Sequence, residues 1–107
     1  PKVAEEMPSG GSVMLKEFIE KNPNKANAII KTINEAIDII RSNPDKMYLH
    51  YMKYCNLSED IAKRLPVVHF WKSNEVKVDV IQEYVNILYE GKALDDHMSI
   101  NNLYIFK

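Results

Sequence analysis

The pattern of hydrophobic and polar positions is clearest over residues 23–42. Apolar residues recur there at spacings of three and four, which is the repeat of one face of an α-helix. The stripe consists of Ala26, Ile29, Ile30, Ile33, Ala36, Ile37 and Ile40. Burial of an isoleucine side chain stabilises a fold by about 1.5–3 kcal/mol. The pattern therefore predicts a long amphipathic helix with an apolar stripe that something must cover.

A second apolar stripe follows near the end of the chain and predicts another long helix. Its inner positions are Val78, Ile81, Val85 and Leu88, widened by Tyr84 and Ile87. Ser73 or Asn74 has the side chain of an N-cap, and Glu75 would lie in the first turn. Gly91 is placed where a C-terminal cap residue is expected.

Two Asn-Pro steps, Asn22-Pro23 and Asn43-Pro44, divide the first half of the chain. Asparagine is a favoured N-cap because its side-chain oxygen can accept from free N–H groups of the first turn. Proline suits the first helical position because its missing N–H would have no partner there. Each step therefore predicts the start of a new helix, and the second start leads into residues 44–55.

The helix predicted over residues 44–55 is rich in tyrosine and methionine, which favours core packing over a ligand pocket. Cys55, the single cysteine, is predicted to be a buried and inert thiol. Asn56 is a plausible stop, and Ser58 is the predicted N-cap of a short helix that runs to Leu65. Pro66 would end that helix.

The remaining segments carry weaker patterns. Residues 12–15 are a short apolar run that predicts either a brief strand or the entry to a helix. Residues 67–71 read as an extended linker. Ser99 could cap a helical turn before the apolar residues 103–106. The expected organisation is an N-terminal linker or hinge over residues 1–11, followed by one mainly α unit over residues 12–107.

Composition and charge exclude several classes of function. The chain has 107 residues, a net charge of −1 and 46% hydrophobic residues, which fits one domain or a piece of one. A near-neutral surface argues against general nucleic-acid binding. Neither a signal peptide nor a membrane span is expected from the pattern.

A search for catalytic or metal-binding patterns predicts no enzyme, no metal and no cofactor. His50, His69 and His97 fall on separate elements, without the one-turn spacing of a zinc motif. The one candidate ligand-binding segment is the loop of Ser9, Gly10, Gly11 and Ser12. Its exposed N–H groups could bind an anion, although a hinge or plain linker explains the same residues.

The order of the motifs carries a family resemblance. The motifs are Glu20-Lys21-Asn22-Pro23, Asn34-Glu35-Ala36-Ile37-Asp38, Asn43-Pro44-Asp45, Leu57-Ser58-Glu59-Asp60-Ile61-Ala62 and Leu65-Pro66. Together they resemble the C-terminal portion of ABC-transporter substrate-binding proteins of the nitrate, sulfonate, taurine and thiamine-precursor group. Asn56 departs from the family pattern, in which glycine commonly precedes the Leu-Ser-Glu step.

The resemblance implies the helical C-terminal part of a two-lobed α/β periplasmic-binding fold, with at most one or two short strands. It implies an extracytoplasmic protein that binds a small anionic or heterocyclic solute and delivers it to the membrane subunits of an ABC transporter. Much of the solute pocket would lie upstream of this sequence. The alternative is a self-contained helical interaction module. Both interpretations predict a homo-oligomer formed through apolar helix faces.

Overall fold

The computed structural model describes residues 5–101 and residue 103. Its contacts divide the chain into two compact units. One unit is Met14–Phe70, and the other joins the described parts of Pro1–Val13 and Trp71–Lys107. The mainly α class is confirmed, because 60% of the structure is helical and no strand occurs within the described residues. The predicted division at residue 11 stays a prediction, and residues 104–106 of the apolar tail lie outside the described residues.

The unit Met14–Phe70 is a succession of helices. Helix α1 is Lys16–Lys21, and helix α2 is Pro23–Ser42, with the bounds that its periodicity predicts. A 3₁₀ turn, Pro44–Lys46, leads into helix α3, Met47–Cys55. Helix α4 is Glu59–Arg64 and packs against α3. Residues 12–15 form neither a strand nor a helix, and Val13 is 95% exposed.

Both asparagines of the Asn-Pro steps serve the helix before them, so the prediction of side-chain N-caps was wrong. Asn22 Nδ2 donates to the Phe18 carbonyl at 3.2 Å, and Asn43 Nδ2 donates to the Ile39 carbonyl at 3.4 Å. Neither side chain makes a capping hydrogen bond to the helix that follows. Each of these carbonyls also accepts from the backbone N–H of the same asparagine, at 2.8 Å for Phe18 and 3.2 Å for Ile39, so the amide adds a second hydrogen bond at the helix end. The prolines do stand at the first positions of the new segments.

The core of the first unit follows one edge of the predicted stripe of α2. Ala26 and Ile37 are buried, and Ala62 of α4 is the third buried residue of the unit. Ile29 and Ile33 remain 41% and 43% exposed. Eleven residues make just over three turns, so Ala26 and Ile37 lie on nearly one line along the helix. Ile30 and Ile40 are half-buried, and Ala36 is exposed together with Ile29 and Ile33.

The junction between α3 and α4 is as predicted in its backbone but not in its cysteine. Asn56 ends α3 in the left-handed region, at φ 53° and ψ 40°. Ser58 Oγ accepts from the Ile61 N–H at 3.4 Å and caps α4. Cys55 is exposed, so its predicted burial was wrong. Tyr48, Tyr51 and Met52 of α3 are half-buried, whereas Cys55, the last residue of the helix, is exposed.

The second unit is built around helix α5, Val78–Glu90. The predicted cap at Ser73 or Asn74 was wrong, since residues 73–75 form a turn and Lys77 precedes the helix. The Glu75 carboxylate instead accepts from the Lys72 N–H at 3.0 Å within that turn.

The C-terminal end of α5 differs from the glycine cap that was expected. Gly91 does end the helix, but its φ is −77°. The left-handed residue is Lys92, with φ 61°. A side chain at Gly91 would bring its Cβ to 3.2 Å from the Ile87 carbonyl oxygen. A side chain at this position would therefore require the carbonyl to move by a few tenths of an ångström, whereas the backbone at Gly91 is not left-handed.

Candidate functional site

The loop of Ser9, Gly10, Gly11 and Ser12 lies on open surface. All four residues are exposed, and a Cβ built on either glycine meets no atom within 4 Å. Both glycines have φ outside the left-handed region. Neither crowding nor backbone geometry therefore requires glycine in this structure. The described residues bring no second group toward the loop, so its ligand-binding role stays a prediction.

A shallow hollow of about 320 Å³ lies between the 3₁₀ turn, α3 and α4. Tyr48, Tyr51 and Leu65 give it an apolar lining, and Lys63 is its cation. The Lys63 ammonium lies 5.0 Å from the centroid of the Tyr48 ring, within the range of a cation–π contact. The Tyr51 hydroxyl donates to the Pro66 carbonyl at 3.2 Å, which ties the chain after α4 back to α3.

The positive charge of Lys63 is stabilised by Glu59, one turn earlier on α4. Its ammonium lies 2.6 Å from the Glu59 carboxylate. That hydrogen bond, reinforced by the attraction of opposite charges, raises the pKa of Lys63 above 10.5 and lowers the pKa of Glu59 below 4.5. Lys63 therefore remains a cation at neutral pH. The lining of the hollow thus combines an aromatic wall with two charged groups, the Lys63 ammonium and the Asp45 carboxylate.

His50 and His69 belong to the unit Met14–Phe70, and His97 belongs to the other unit. His50 stacks on Tyr54 one turn later, with ring centroids 6.3 Å apart and planes at 9°. His97 lies in the other unit, against Tyr89, at a centroid distance of 5.3 Å. Across the described part of the chain, no group of three histidine, cysteine or acidic side chains could hold a metal ion.

A polar network on α5, which the sequence analysis missed, fixes the chain that returns along this helix. Gln82 Nε2 donates to the Met98 carbonyl at 2.9 Å, and Gln82 Oε1 accepts from the Ile100 N–H at 2.9 Å. The same Nε2 donates to Asn86 Oδ1 at 3.0 Å. Ile100, held by this clamp, is among the buried residues. The signal available in the sequence was the spacing of Gln82 and Asn86, two polar residues four apart on α5.

The network also fixes the proton on His97. The two backbone partners of Gln82 determine which of its atoms is the nitrogen, so the Asn86 atom that it meets must be the oxygen. His97 Nε2 lies 2.8 Å from that oxygen. The ring nitrogen facing Asn86 therefore carries a proton, and His97 acts here as a donor that holds its own loop. The arrangement is structural and leaves no reactive pair.

Part of α2 is an exposed apolar surface of the first unit. We call Ile29, Thr32, Ile33, Ala36 and Ile39 the open stripe; all five residues are exposed. The Thr32 hydroxyl donates to the Ala28 carbonyl at 2.8 Å, so it turns back to its own helix. The open stripe therefore presents methyl and methylene groups with no polar group that needs a partner.

Comparison of the chain with models of protein families, with curated proteins and with solved structures finds no match. None of the helices in the described residues is long and apolar enough to cross a membrane.

Proposed function

We propose that this chain is the C-terminal part of an extracytoplasmic receptor that delivers a small anionic or heterocyclic solute to an ABC transporter. Four of the five motifs that resemble this group fall at helix boundaries, and the fifth, residues 34–38, lies within α2. Asn22-Pro23 and Asn43-Pro44 each separate two helical segments, and Ser58 caps α4. The order of helices is thus compatible with the resemblance.

The single observation that carries the proposal is the open stripe of α2. In α/β proteins, helices bury such a stripe against a sheet. The described residues contain no strand, and Ile29, Ile33 and Ile39 stay exposed. A helical layer whose sheet comes from another part of a longer protein would have this surface. The proposal thus accounts for the missing cover without assigning catalysis to the chain.

The first experiment measures solute binding by titration calorimetry with nitrate, an alkyl sulfonate and a pyrimidine. We expect no tight binding by the 107-residue chain and binding of one solute class by the product of its complete reading frame. In that longer product, exchange of Ser9 and Ser12 for alanine tests the loop. The exposed Ser42, which donates to the Asp38 carbonyl of its own helix at 2.8 Å, offers a control exchange.

Two results would contradict this proposal. Submicromolar affinity in the 107-residue chain would show that the pocket does not depend on upstream residues. Failure of the complete product to bind any of the three solute classes would remove the support for a receptor of this group. Equal loss from the loop exchange and the Ser42 exchange would reject the loop as the binding segment, while leaving the receptor itself in place.

A self-associating helical module is the second candidate, and the same stripe favours it, since apolar surface can be covered by another copy. Ile33→Glu places a charge in the stripe, and Asn27→Glu places the same charge at an exposed position outside it. We expect a dimer or larger oligomer by light scattering for the natural sequence and for Asn27→Glu, and a monomer for Ile33→Glu. A monomer in all three would exclude this candidate.

A further inference from the structure

The turn between α3 and α4 contains the tripeptide Asn56-Leu57-Ser58, which has the pattern of an acceptor for N-linked glycans. The chain has ten asparagines, and Asn56 alone is followed two positions later by serine or threonine. The middle residue is leucine, so the proline that blocks such sites is absent. A pattern of three residues supports a glycan site only if the fold exposes those residues.

The fold places Asn56 where a glycan can be attached and accommodated. Its side chain is exposed, and its carboxamide makes no hydrogen bond within the described residues. Every residue from 53 to 61 is exposed except the half-buried Leu57. The left-handed backbone at Asn56 ends α3 and turns the chain, so the side chain stands at the outside of a bend. Attachment there would displace no core contact.

The serine of the tripeptide can also be released at little cost. Ser58 Oγ is held by one long hydrogen bond, 3.4 Å from the Ile61 N–H. The helix that it caps, Glu59–Arg64, has only six residues. Short helices at exposed turns open locally more easily than core elements. An enzyme that must grip both the amide and the hydroxyl can therefore reach them without unfolding α2.

We propose that the Asn56 carboxamide is an acceptor for an N-linked glycan. Asn56 Nδ2 attacks C1 of the terminal sugar of a lipid-linked oligosaccharide. The N–C1 bond forms, the bond from C1 to the pyrophosphate oxygen breaks, the lipid pyrophosphate leaves, and the amide nitrogen loses one proton. The proposal rests on the extracytoplasmic location in the proposed function, but it does not depend on solute binding.

The test delivers the full chain into microsomes that contain oligosaccharyltransferase and measures the mass of the protease-protected product. We expect one glycan, removed by peptide N-glycosidase, which leaves aspartate in place of Asn56. Asn56→Gly should abolish the glycan and keep the left-handed turn. Ser58→Asp should abolish it and keep the helix cap. Ser58→Thr should retain it.

A positive control comes from the open loop of the same chain. Gly10→Asn creates a second acceptor tripeptide with Gly11 and Ser12, at a position where an added side chain meets nothing. We expect two glycans on this variant. Modification at position 10 with Asn56 unmodified would overturn the proposal, and so would protease-protected natural chain without a glycan. Loss of solute binding in the complete product would leave this result unchanged, so the two proposals fail separately.

Discussion

Two isoleucines of α2, four residues apart, should respond very differently to truncation. Ile37 is 6% exposed and Ile33 is 43% exposed, although both belong to the stripe that the sequence predicts. Ile37→Ala removes buried methyl groups and leaves a cavity, which costs about 2–5 kcal/mol of unfolding free energy. Ile33→Ala loses only part of a transfer energy of about 1.5–3 kcal/mol, because water already reaches the site, and we expect roughly 1 kcal/mol.

The assay is urea unfolding followed by the helical circular dichroism signal, at protein concentrations spanning the micromolar range. Ile37 is the one large buried side chain in the unit Met14–Phe70, where the other two buried residues are alanines. Its truncation could therefore leave no folded state to measure. Ile37→Val, with an expected cost of about 0.5–1.5 kcal/mol, keeps the comparison measurable in that case.

Equal costs for the two alanine variants at the lowest concentration would refute this reasoning. Such a result would mean that Ile33 is as well covered as Ile37 in the monomer. A cost at Ile33 that grows with protein concentration would instead identify a second copy as the cover, since binding stabilises the folded state by mass action. A small cost at every concentration agrees with a stripe that stays open in this chain.

Three further predictions test the contacts outside the stripe. Gln82→Leu removes three hydrogen bonds and leaves the Ile100 N–H without its partner, and we expect a loss of about 2–4 kcal/mol with faster hydrogen exchange at that amide. Asn22→Asp should lower the free energy of unfolding by about 1 kcal/mol, as measured by thermal or urea unfolding. If Asn22 were instead a side-chain N-cap, no loss would be expected, because aspartate caps equally well. Lys63→Met should raise the pKa of Glu59 back toward 4.5 in a carbon NMR titration, and an unchanged titration would contradict the pair. The pKa of Glu59 is lowered, so its contribution to folding stability is present above its ordinary pKa and is lost as pH falls through the lowered value. The pKa of Lys63 is raised, so its contribution is present below 10.5 and is lost as pH rises through the raised value.

The sequence predicted helix boundaries well where two independent signals agreed. The bounds of α2, Pro23–Ser42, follow from a long periodic stripe together with a proline at each junction. The prediction of the start of α5 failed because it depended only on residues with the side chain of an N-cap. Ser73 and Asn74 have suitable side chains, but a turn closed by Glu75 and the Lys72 N–H uses the same residues. A preference of about 1 kcal/mol is too small to decide between a turn and a helix start.

The hydrogen-bonding role of the asparagine side chains shows a second limit of prediction from the sequence. A carboxamide carries both a donor and an acceptor, so Asn22 can serve the end of one helix or the start of the next. Residue identity does not distinguish the two roles when helices follow each other directly. The structure selects the donor, which reaches the Phe18 carbonyl.

The predictions for the candidate sites failed where a contact with another part of the molecule decides the outcome. Periodicity identifies an apolar face but not its cover, so it predicted burial for Cys55 and for the whole stripe of α2, and both are partly or wholly exposed. The clamp formed by Gln82 depends on a chain that returns to α5 from residues 98–100. The spacing of Gln82 and Asn86 is a local pattern, but nothing local identifies residues 98–100 as the segment that Gln82 binds.

The chemistry of the open stripe decides what its cover can be. Thr32 satisfies its hydroxyl within α2, so the stripe buries no polar group without a partner, and an apolar surface can cover it without a desolvation penalty. A sheet from the same polypeptide and a second copy both meet that condition. They differ in how the cover is supplied, because a sheet joined covalently gives Ile33 a burial independent of concentration, whereas a second copy dissociates on dilution. The concentration dependence at Ile33, compared between this chain and the complete product, therefore separates the receptor from the self-associating module.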